Sequence, residues 1–365
     1  MIDERRLSAH LDWPLLGAVL ALVALGLATI YSVTHRGMQP GPEFWTQVKA
    51  LAVGVFALLA CLAIDYRTLA QRSLILYGLL VLALIAVLVV GAKHNGSRRW
   101  ISLGHFSLQP SEFTRLVVAL VLAMFYGESR RRARSFAELA GGVLLVGVPA
   151  ALIYKQPDFG TPLALVPVFL GVVFVAGLPI RMLTITVTIA VLLSPVVYVY
   201  GLQPYQKQRI QVYLNPESDP HGKGYQQLQA KIAVGSGGLA GKGLMQGTQG
   251  GYGFLPVAHN DFVFSVLAEE EGFIGVLVAL SLYLFVILRS LEAARLARDR
   301  VGAFLVVAIV SGFAFQVVYN ITMSAGLAPV KGLTLPLMSY GGSSLVATLA
   351  GFGLILNVRM RRFAN

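Results

Sequence analysis

Long apolar stretches constrain this fold more than any other feature of the sequence. Only 13% of the residues are charged, about half of the share in soluble domains. Because lipid cannot pair backbone polar groups, and because the alternation of a membrane β-barrel is absent, we predict an all-α polytopic membrane protein. About ten transmembrane helices, each near the roughly 20 residues that a bilayer requires, form one domain over 1–365. The predicted runs are 13–34, 45–64, 73–92, 111–127, 137–154, 160–177, 180–201, 261–288, 301–323 and 341–358.

The distribution of Lys and Arg predicts the orientation. Placing the N-terminus in the cytoplasm puts 16 of the 29 Lys and Arg residues in inner segments, including the cluster Arg130–Arg134, and 6 in short outer loops. This bias matches the positive-inside pattern, so both termini are predicted to be cytoplasmic. The first run is longer than a signal-peptide core and no small-residue cleavage site follows it, so we interpret it as a retained span.

One long extracytoplasmic loop, 202–260, separates predicted helices 7 and 8. It is rich in glycine and basic, it is too short for an ordinary independent domain, and a loop of this length is usually functional or disordered. Lys93, Arg98 and Arg99 also lie on the predicted outer side, against the positive-inside pattern. This outer charge indicates either an anionic partner at the outer leaflet or contacts with lipid phosphates. Since topology explains the rest of the net charge of +12, no nucleic-acid partner is expected.

Ionisable residues near or within the apolar runs are the candidates for chemistry, because burying them in a membrane is costly. Asp261 opens the eighth run and is either a helix N-cap or a carboxylate that faces a cavity and accepts a proton. Glu112 and Arg115 share one helix face, as a structural ion pair or as a pair that positions a ligand. Asp158 is either a helix cap or a site residue. For Glu269–Glu271, structural hydrogen bonding is the favoured interpretation.

Other classes of site lack their motifs. The sequence has no Walker A, GxGxxG, GxSxG or HExxH pattern. Its six histidines have no ligand spacing, and Cys61 is the only cysteine, so we expect neither a zinc site nor a disulfide.

Motifs spread over nearly the whole chain resemble the SEDS family of bacterial peptidoglycan polymerases (shape, elongation, division, sporulation). The matching segments are 99–104, 109–112, 155–161, 232–239, 241–243, 247–249, 254–256, 259–262, 268–270, 335–336 and 339–344. The chain departs from the family pattern in places. Val257 stands at a usual Glu, Asn260 at a usual Thr, Arg115 at a usual Lys, Glu271 at an apolar position and Lys331 at a usual Thr.

The resemblance implies a glycosyltransferase that polymerises lipid II at the outer face of the bacterial cytoplasmic membrane. In this hypothesis Asp261 is the general base, and the donor is a glycan strand linked to undecaprenyl pyrophosphate. Further candidates for substrate binding, or for structural ion pairs, are Glu112, Arg115, Lys155, Asp158, Arg209, Lys242, Gln249 and His259. A divalent cation, Mg or Mn, could assist. Expected partners are membrane lipids and a class B penicillin-binding protein, a transpeptidase that crosslinks the new strands.

Two alternatives stay open. A lipid II flippase also needs a polar cavity with charge inside the membrane, although its path must cross the midplane. A non-catalytic scaffold of the elongation machinery leaves the outer glycine-rich motifs unexplained. The gathering of charged motif residues at the outer end favours chemistry at one face of the membrane.

Overall fold

Helices occupy the apolar runs because a helix pairs its own backbone groups. The computed structural model describes residues 10–363, except for 36–38, 95–96, 104–105, 130–135, 159, 180, 183, 186–187, 189–191, 193–194 and 221. Its α-helices are α1 (Trp13–Thr34), α2 (Pro42–Ala63), α3 (Tyr66–Gln71), α4 (Ser73–Val90), α5 (Pro110–Gly127), α6 (Phe136–Lys155), α7 (Gly160–Val175), α8 (Pro204–Leu214), α9 (Lys223–Ser236), α10 (Thr248–Gly251), α11 (Val263–Arg295), α12 (Arg300–Ser324) and α13 (Gly342–Met360). A π-helical turn, Val197–Gly201, precedes α8, and 3-10 turns lie at Pro216–Ser218 and Arg361–Phe363.

The multi-span helical fold is confirmed. Within the described residues, eight helices are long and apolar enough to cross a bilayer, namely α1, α2, α4, α5, α6, α11, α12 and α13. Helix α7 coincides with the predicted run 160–177 but has only 16 residues. Much of the predicted run 180–201 lies outside the described residues, as does the Arg130–Arg134 cluster. The count of ten and the orientation therefore stay predictions.

A small antiparallel sheet departs from the all-α prediction. Strands β1 (Ala92–His94), β2 (Ser97–Leu103) and β3 (Phe106–Leu108) pair in the order β1-β2-β3 in the connection between α4 and α5. In this sheet Ala92 faces Trp100 and Ile101 faces Leu108. The connection lies between apolar runs, where hydropathy does not indicate a structure, and the strands pair their backbone groups with one another.

Helix α13 forms the centre of the bundle. In its most apolar stretch 94% of the residues are buried, whereas α2 has 22%. The two helices approach closely at small residues. A Cβ atom at Gly353 would lie 2.5 Å from the Leu58 carbonyl oxygen, and one at Gly54 would lie 2.6 Å from a Leu349 methyl carbon. Close packing at small residues is a main source of helix association in lipid, so these glycines set the α2–α13 contact.

Ion pairs join the helix ends on the side of the bundle opposite the long loop. The Asp12 side chain is 1% exposed, and its carboxylate pairs with Arg289 at 3.0 Å and with Arg359 at 2.9 Å. Arg289 also contacts Glu292 at 2.6 Å. Buried charges are tolerated when they are paired, and this network links the start of α1 to the ends of α11 and α13.

Asn357 makes a second link at the same end. Its Nδ2 atom donates to the carbonyl oxygens of Leu62 at 2.7 Å, Ile64 at 2.8 Å and Cys61 at 3.1 Å, and its Oδ1 atom accepts from the Tyr66 backbone N–H at 3.3 Å. The Asn357 side chain thus satisfies the last carbonyls of α2, which the helix itself leaves unpaired.

We expect Asn357→Ala to lower the free energy of unfolding by at least about 1–3 kcal/mol, since it leaves buried backbone groups without partners. Chemical unfolding of the purified protein in detergent measures this loss. The exposed Asn215→Ala is the matched control and should stay within about 0.5 kcal/mol of wild type. Equal stability of the two variants would contradict the role of Asn357.

Candidate active site

A polar cavity of about 310 Å³ lies where the sheet, α5, α7 and the segments before α11 and α13 meet. Its lining is mostly polar and includes Asp261, Asn260, Asp158, Glu112, Arg99, Trp100, Gln109, Thr161, Gly332, Tyr340, Ser343 and Ser344. The sheet closes one side, because the Ser343 hydroxyl donates to the Ser107 carbonyl at 3.3 Å and accepts from the Gln109 N–H at 3.0 Å. Three of the residues singled out in the sequence, Asp261, Asp158 and Glu112, therefore share one cavity.

The Asp261 side chain faces this cavity and is not a helix cap. The N-cap of α11 is Phe262, and no side-chain hydrogen bond caps that helix. The backbone of Asp261 is held on both sides, since its N–H donates to Val257 O at 3.3 Å and its carbonyl accepts from Asn320 Nδ2 at 2.9 Å. The carboxylate therefore caps no helix, while the backbone that carries it is held in place. This arrangement suits a group that accepts a proton.

Positive charges near Asp261 oppose the effect of burial on the pKa of its carboxyl. Burial raises the pKa of the Asp261 carboxyl above its ordinary value, and the positive charges of Lys223 and Arg209 oppose that rise. Lys223 itself has a lowered pKa, chiefly because of burial, although the charge of Asp261 raises it. A carboxyl with a raised pKa that stays close to cations is suited to general-base chemistry.

Glu112 and Arg115 form an ion pair with a distance of 2.6 Å, and both side chains are largely buried. Glu112 lines the polar cavity, and both residues line a small neighbouring apolar pocket of about 40 Å³ between α5, α7, α12 and α13. The pair therefore lies at the boundary between the polar and the apolar space, where a ligand with a polar head and an apolar tail would meet it.

Other predicted site residues lie around the cavity in structural roles. Asp158 caps α7, since its carboxylate accepts from the N–H groups of Gly160 and Thr161 and from the Thr161 hydroxyl at 2.8 Å. Lys155, at the end of α6, is exposed and does not line the cavity. Arg99 donates to the carbonyl oxygens of Gln156 and Pro157, so this outer cation joins the sheet to the segment before α7.

His259 forms part of the wall behind Asp261. Its ring packs edge-to-face on Tyr340, with 5.4 Å between the ring centroids, and its carbonyl accepts from the Tyr340 N–H at 2.9 Å. Burial lowers the pKa of His259, which favours a neutral imidazole at neutral pH. The structure thus gives His259 a packing contact rather than a place in the cavity lining.

Lys242 and Gln249 gather at a different centre, the buried carboxylate of Glu269. Lys242 Nζ lies 2.6 Å from Glu269 Oε1, and the same oxygen accepts from the Thr248 N–H at 2.8 Å and from the Gln249 N–H at 3.1 Å. Glu269 is fully buried. Neither Lys242 nor Gln249 lines the Asp261 cavity, so Glu269 ties the glycine-rich loop to α11.

The same loop fills a break in α11. Gly272 has φ 65° and ψ −161°, a backbone conformation that is essentially restricted to glycine. Around the break, Gly243 N–H donates to Glu270 O at 2.8 Å, and Phe273 N–H donates to Gly238 O at 2.9 Å. The loop therefore pairs the backbone groups that the broken helix cannot, and it contributes to the position of the helix that begins two residues after Asp261.

Sequence reasoning missed Asn320 and Lys223 as members of this site. Asn320 is fully buried in α12, and it donates to both the Asp261 and the Leu333 carbonyls. A polar amide in the apolar run 301–323 was the available signal, since a polar side chain in such a run needs a partner within the protein. Lys223 is distant from Asp261 in sequence, and only folding brings the two charges together.

The residues at which this chain departs from the family pattern differ in their surroundings. Asn260 lines the cavity beside Asp261, and its buried Oδ1 atom has no hydrogen-bond partner among the described residues. Val257 is 44% exposed and does not line the cavity. In the part of the chain that the structure describes, no group of three or more His, Cys, Asp or Glu side chains could hold a metal ion. The divalent cation therefore stays a prediction without a ligand set.

Comparison with known proteins extends over almost the whole chain. Residues 12–363 match the family described as cell cycle protein and named for FtsW, RodA and SpoVE. The peptidoglycan glycosyltransferase MrdB of Escherichia coli K12 is 36% identical over 355 residues, which cover 97% of this chain and 94% of MrdB.

Solved structures share the fold. A chain of a peptidoglycan synthase complex that coordinates polymerization and crosslinking superposes with a TM-score of 0.84 and 34% identity, over 97% of this chain and 99% of that chain. RodA of Thermus thermophilus gives 0.73 and 33%, over 97% and 98%.

The fold and the cavity define a polytopic membrane protein with a polar site at one end of its helix bundle. The chain belongs to the FtsW, RodA and SpoVE family, which is the SEDS family that its motifs resemble, and its likeness to RodA is supported by both sequence and structure. It is accordingly a multi-pass protein of the bacterial inner membrane.

Breaking the buried pair between Lys242 and Glu269 should loosen the loop. We expect Lys242→Met to cost up to about 3–5 kcal/mol, because it leaves the Glu269 charge buried with fewer partners. In the double variant Lys242→Met/Glu269→Gln, the loss should be smaller than the sum of the two single losses. Chemical unfolding in detergent and protease cleavage within 237–251 measure the effect.

The exposed Lys231→Met, a lysine in the same long loop, is the matched control for this experiment. Additive losses in the double variant, or wild-type protection of 237–251 in Lys242→Met, would show that the ion pair does not hold the loop.

Proposed function

We propose that this chain polymerises lipid II into glycan strands at the outer face of the cytoplasmic membrane during cell elongation, with Asp261 as the general base. The enzyme class follows from the family: the chain is a peptidoglycan glycosyltransferase, related to MrdB over nearly its full length. The observation that carries the assignment of the base is the Asp261 carboxylate, which lines the polar cavity and caps no helix.

The proposed step is a displacement at the donor sugar. The 4-hydroxyl of the N-acetylglucosamine of lipid II attacks C1 of the donor, and a new C1–O bond forms. The bond from C1 to the diphosphate oxygen breaks, so undecaprenyl pyrophosphate leaves with the electron pair and C1 is inverted. Asp261 takes the proton from the attacking hydroxyl, a contribution of typically about 10²–10⁴-fold in rate. Positioning and charge stabilisation at the departing diphosphate supply the rest.

Four of the candidate binding residues are cations, namely Arg115, Lys155, Arg209 and Lys242, and we propose that Arg209 stabilises the departing diphosphate. The charge of Arg209 acts on Asp261. Lys155 is exposed and does not line the cavity, and Lys242 pairs with Glu269. Arg115 is paired with Glu112 at the cavity boundary, where it is suited to hold the substrate in position. Glu112 thereby becomes a positioning residue for Arg115.

The proposed partner is a class B penicillin-binding protein, whose transpeptidase crosslinks the strands that this chain makes. The support is the likeness to a chain of a complex that couples polymerization to crosslinking. Lipid II, the undecaprenyl-linked glycan and the surrounding membrane lipids complete the set of proposed partners.

Purified protein, supplied with lipid II and with its transpeptidase partner, tests the assignment. We expect Asp261→Asn to reduce glycan polymer by at least about 10²-fold, because the base is lost. Its melting temperature should equal or exceed that of wild type. Burial raises the pKa of Asp261, so the charged carboxylate costs stability at neutral pH, a cost that is absent well below the ordinary pKa of about 3.9.

The exposed Glu217→Gln, also a change from carboxylate to amide, is the matched control and should polymerise like wild type. Normal polymer from Asp261→Asn would reject the base assignment. Movement of lipid II across vesicles without polymer from wild type would favour the flippase, and neither activity would favour the scaffold.

The pH profile tests the surroundings of the base. The rate should fall on the acid side, with an apparent pKa above the ordinary value of aspartate, because only the deprotonated carboxylate accepts a proton. Lys223→Met removes a charge that lowers this pKa, so the acid limb should move to higher pH. Lys231→Met, on the same helix but exposed, should leave the profile in place. Coincident profiles for Lys223→Met and wild type would contradict the proposed coupling.

A further inference from the structure

Two neighbouring polar residues of α2 lie at the wall of the Asp261 cavity. Helix α2 is one of the least buried spans, since only 22% of its most apolar stretch is buried. Gln47 is nevertheless only 1% exposed, and its neighbour Thr46 lines the cavity. A buried amide is costly unless it is hydrogen-bonded, so the partners of Gln47 indicate what it holds in place.

The Gln47 amide holds the peptide groups on both sides of Tyr340. Its Nε2 atom donates to the Ser339 carbonyl oxygen at 3.2 Å, and its Oε1 atom accepts from the Gly341 N–H at 3.1 Å. The Tyr340 N–H itself donates to the His259 carbonyl oxygen at 2.9 Å. Hydrogen bonds therefore fix the backbone around Tyr340 from two directions, and one of them comes from the segment that leads to the proposed base.

The side chain of Tyr340 is held as well. It hydrogen-bonds with the side chain of Thr46, whose hydroxyl donates to the Pro42 carbonyl oxygen at 2.9 Å. Its ring packs edge-to-face on the His259 ring, with 5.4 Å between the centroids. Tyr340 and Thr46 both line the Asp261 cavity, so their contact lies on the cavity wall. A ring that is fixed before a ligand arrives loses little conformational freedom on binding.

The chemistry of this wall suits a sugar ring. One face of a pyranose carries C–H groups, which pack on an aromatic ring because the face of that ring is negative, and its edge carries hydroxyl groups. Tyr340 provides the ring, and Thr46 and Ser343 provide hydroxyl groups in the same lining. A diphosphate would gain little from these uncharged side chains, and a lipid tail would leave their hydroxyl groups without partners.

We propose that Tyr340 contacts the N-acetylglucosamine ring of lipid II that accepts the new bond, and that Gln47 is the positioning residue for Tyr340. This inference rests on the proposed function, to which it adds the place of the acceptor sugar. The attacking 4-hydroxyl must lie beside the Asp261 carboxylate, and Asp261 and Tyr340 line the same cavity. Gln47 does not line that cavity, so it acts on the reaction through Tyr340.

Binding of lipid II, compared with binding of the same lipid without its N-acetylglucosamine, tests the contact. The Asp261→Asn protein is the parent for these measurements, because it should bind both lipids without consuming them. We expect the parent to bind lipid II about tenfold more tightly than the truncated lipid. Tyr340→Leu should remove most of this preference and leave the affinity for the truncated lipid unchanged. Tyr340→Phe keeps the ring and should retain most of the preference.

The positioning role of Gln47 is tested with the same two lipids. Gln47→Met keeps the length of the side chain but breaks both hydrogen bonds to the backbone around Tyr340. It should reduce the preference for lipid II, and it should have no further effect in the Tyr340→Leu background, because it acts through that ring. A merely structural role would instead weaken the binding of both lipids equally.

Tyr252→Leu and Gln211→Met are the matched controls, since both residues are exposed and neither lines the cavity. Both variants should keep the preference of the parent. A folded Tyr340→Leu protein that still prefers lipid II would overturn the proposal, as would a parent without any preference. Equal weakening of both lipids by Gln47→Met would show that Gln47 does not position the sugar contact.

Polymerisation separates this proposal from the proposed function. With Asp261 intact, Tyr340→Leu should raise the KM for lipid II more than it lowers kcat. Failure of the wild-type protein to polymerise lipid II would remove the proposed function, whereas loss of the preference in Tyr340→Leu would still establish the sugar contact. Normal polymerisation by wild type, together with an unchanged preference in Tyr340→Leu, would remove only the sugar contact.

Discussion

The buried carboxylate of Glu269 joins the glycine-rich loop to α11. The arrangement of the bundle end that holds the Asp261 cavity depends on this connection. Lys242, Thr248 and Gln249 all donate to the carboxylate. A few residues further on, the helix breaks at Gly272, and the loop supplies backbone partners for the break. In a membrane an unpaired charge or backbone group costs several kcal/mol, so loop and helix are stable only together. The start of α11, which follows Asp261, is positioned through this mutual dependence.

Two kinds of carboxylate lie at the end of the bundle that holds the Asp261 cavity. Asp158 and Glu269 accept several hydrogen bonds each, and this suits them to hold structure. Asp261 caps no helix, and burial destabilises its charge although cations stand nearby. A carboxylate in the surroundings of Asp261, where burial destabilises its negative charge, is the better proton acceptor. The same physical rule, that buried charge must be compensated, therefore sorts structural acids from the candidate base.

Individual residues show which features of the structure the sequence predicts and which it does not. The apolar runs predicted eight described spans, since the length of a membrane helix follows from bilayer thickness. Asp261 and the Glu112–Arg115 pair could be selected because ionisable groups in such runs are costly. The sheet at 92–108 could not be predicted by hydropathy, because its strands lie in a polar connection. Lys242 and Arg209 could not be distinguished as candidate binding residues, because both are cations of the same long loop, and only the fold pairs Lys242 with Glu269.

Hydropathy, charge bias and motifs by themselves determined that this is a membrane protein, where most of its helices lie, to which family it belongs and that Asp261 is the candidate base. These properties depend on local composition, which acts residue by residue along the chain. Only the tertiary structure decided that Asp261 caps no helix, that Asn320 holds its backbone, and that Glu269 joins Lys242 and Thr248 to α11. Those relations join residues that are far apart in sequence, and they are set by packing and by the need to pair buried polar groups, which no local pattern encodes.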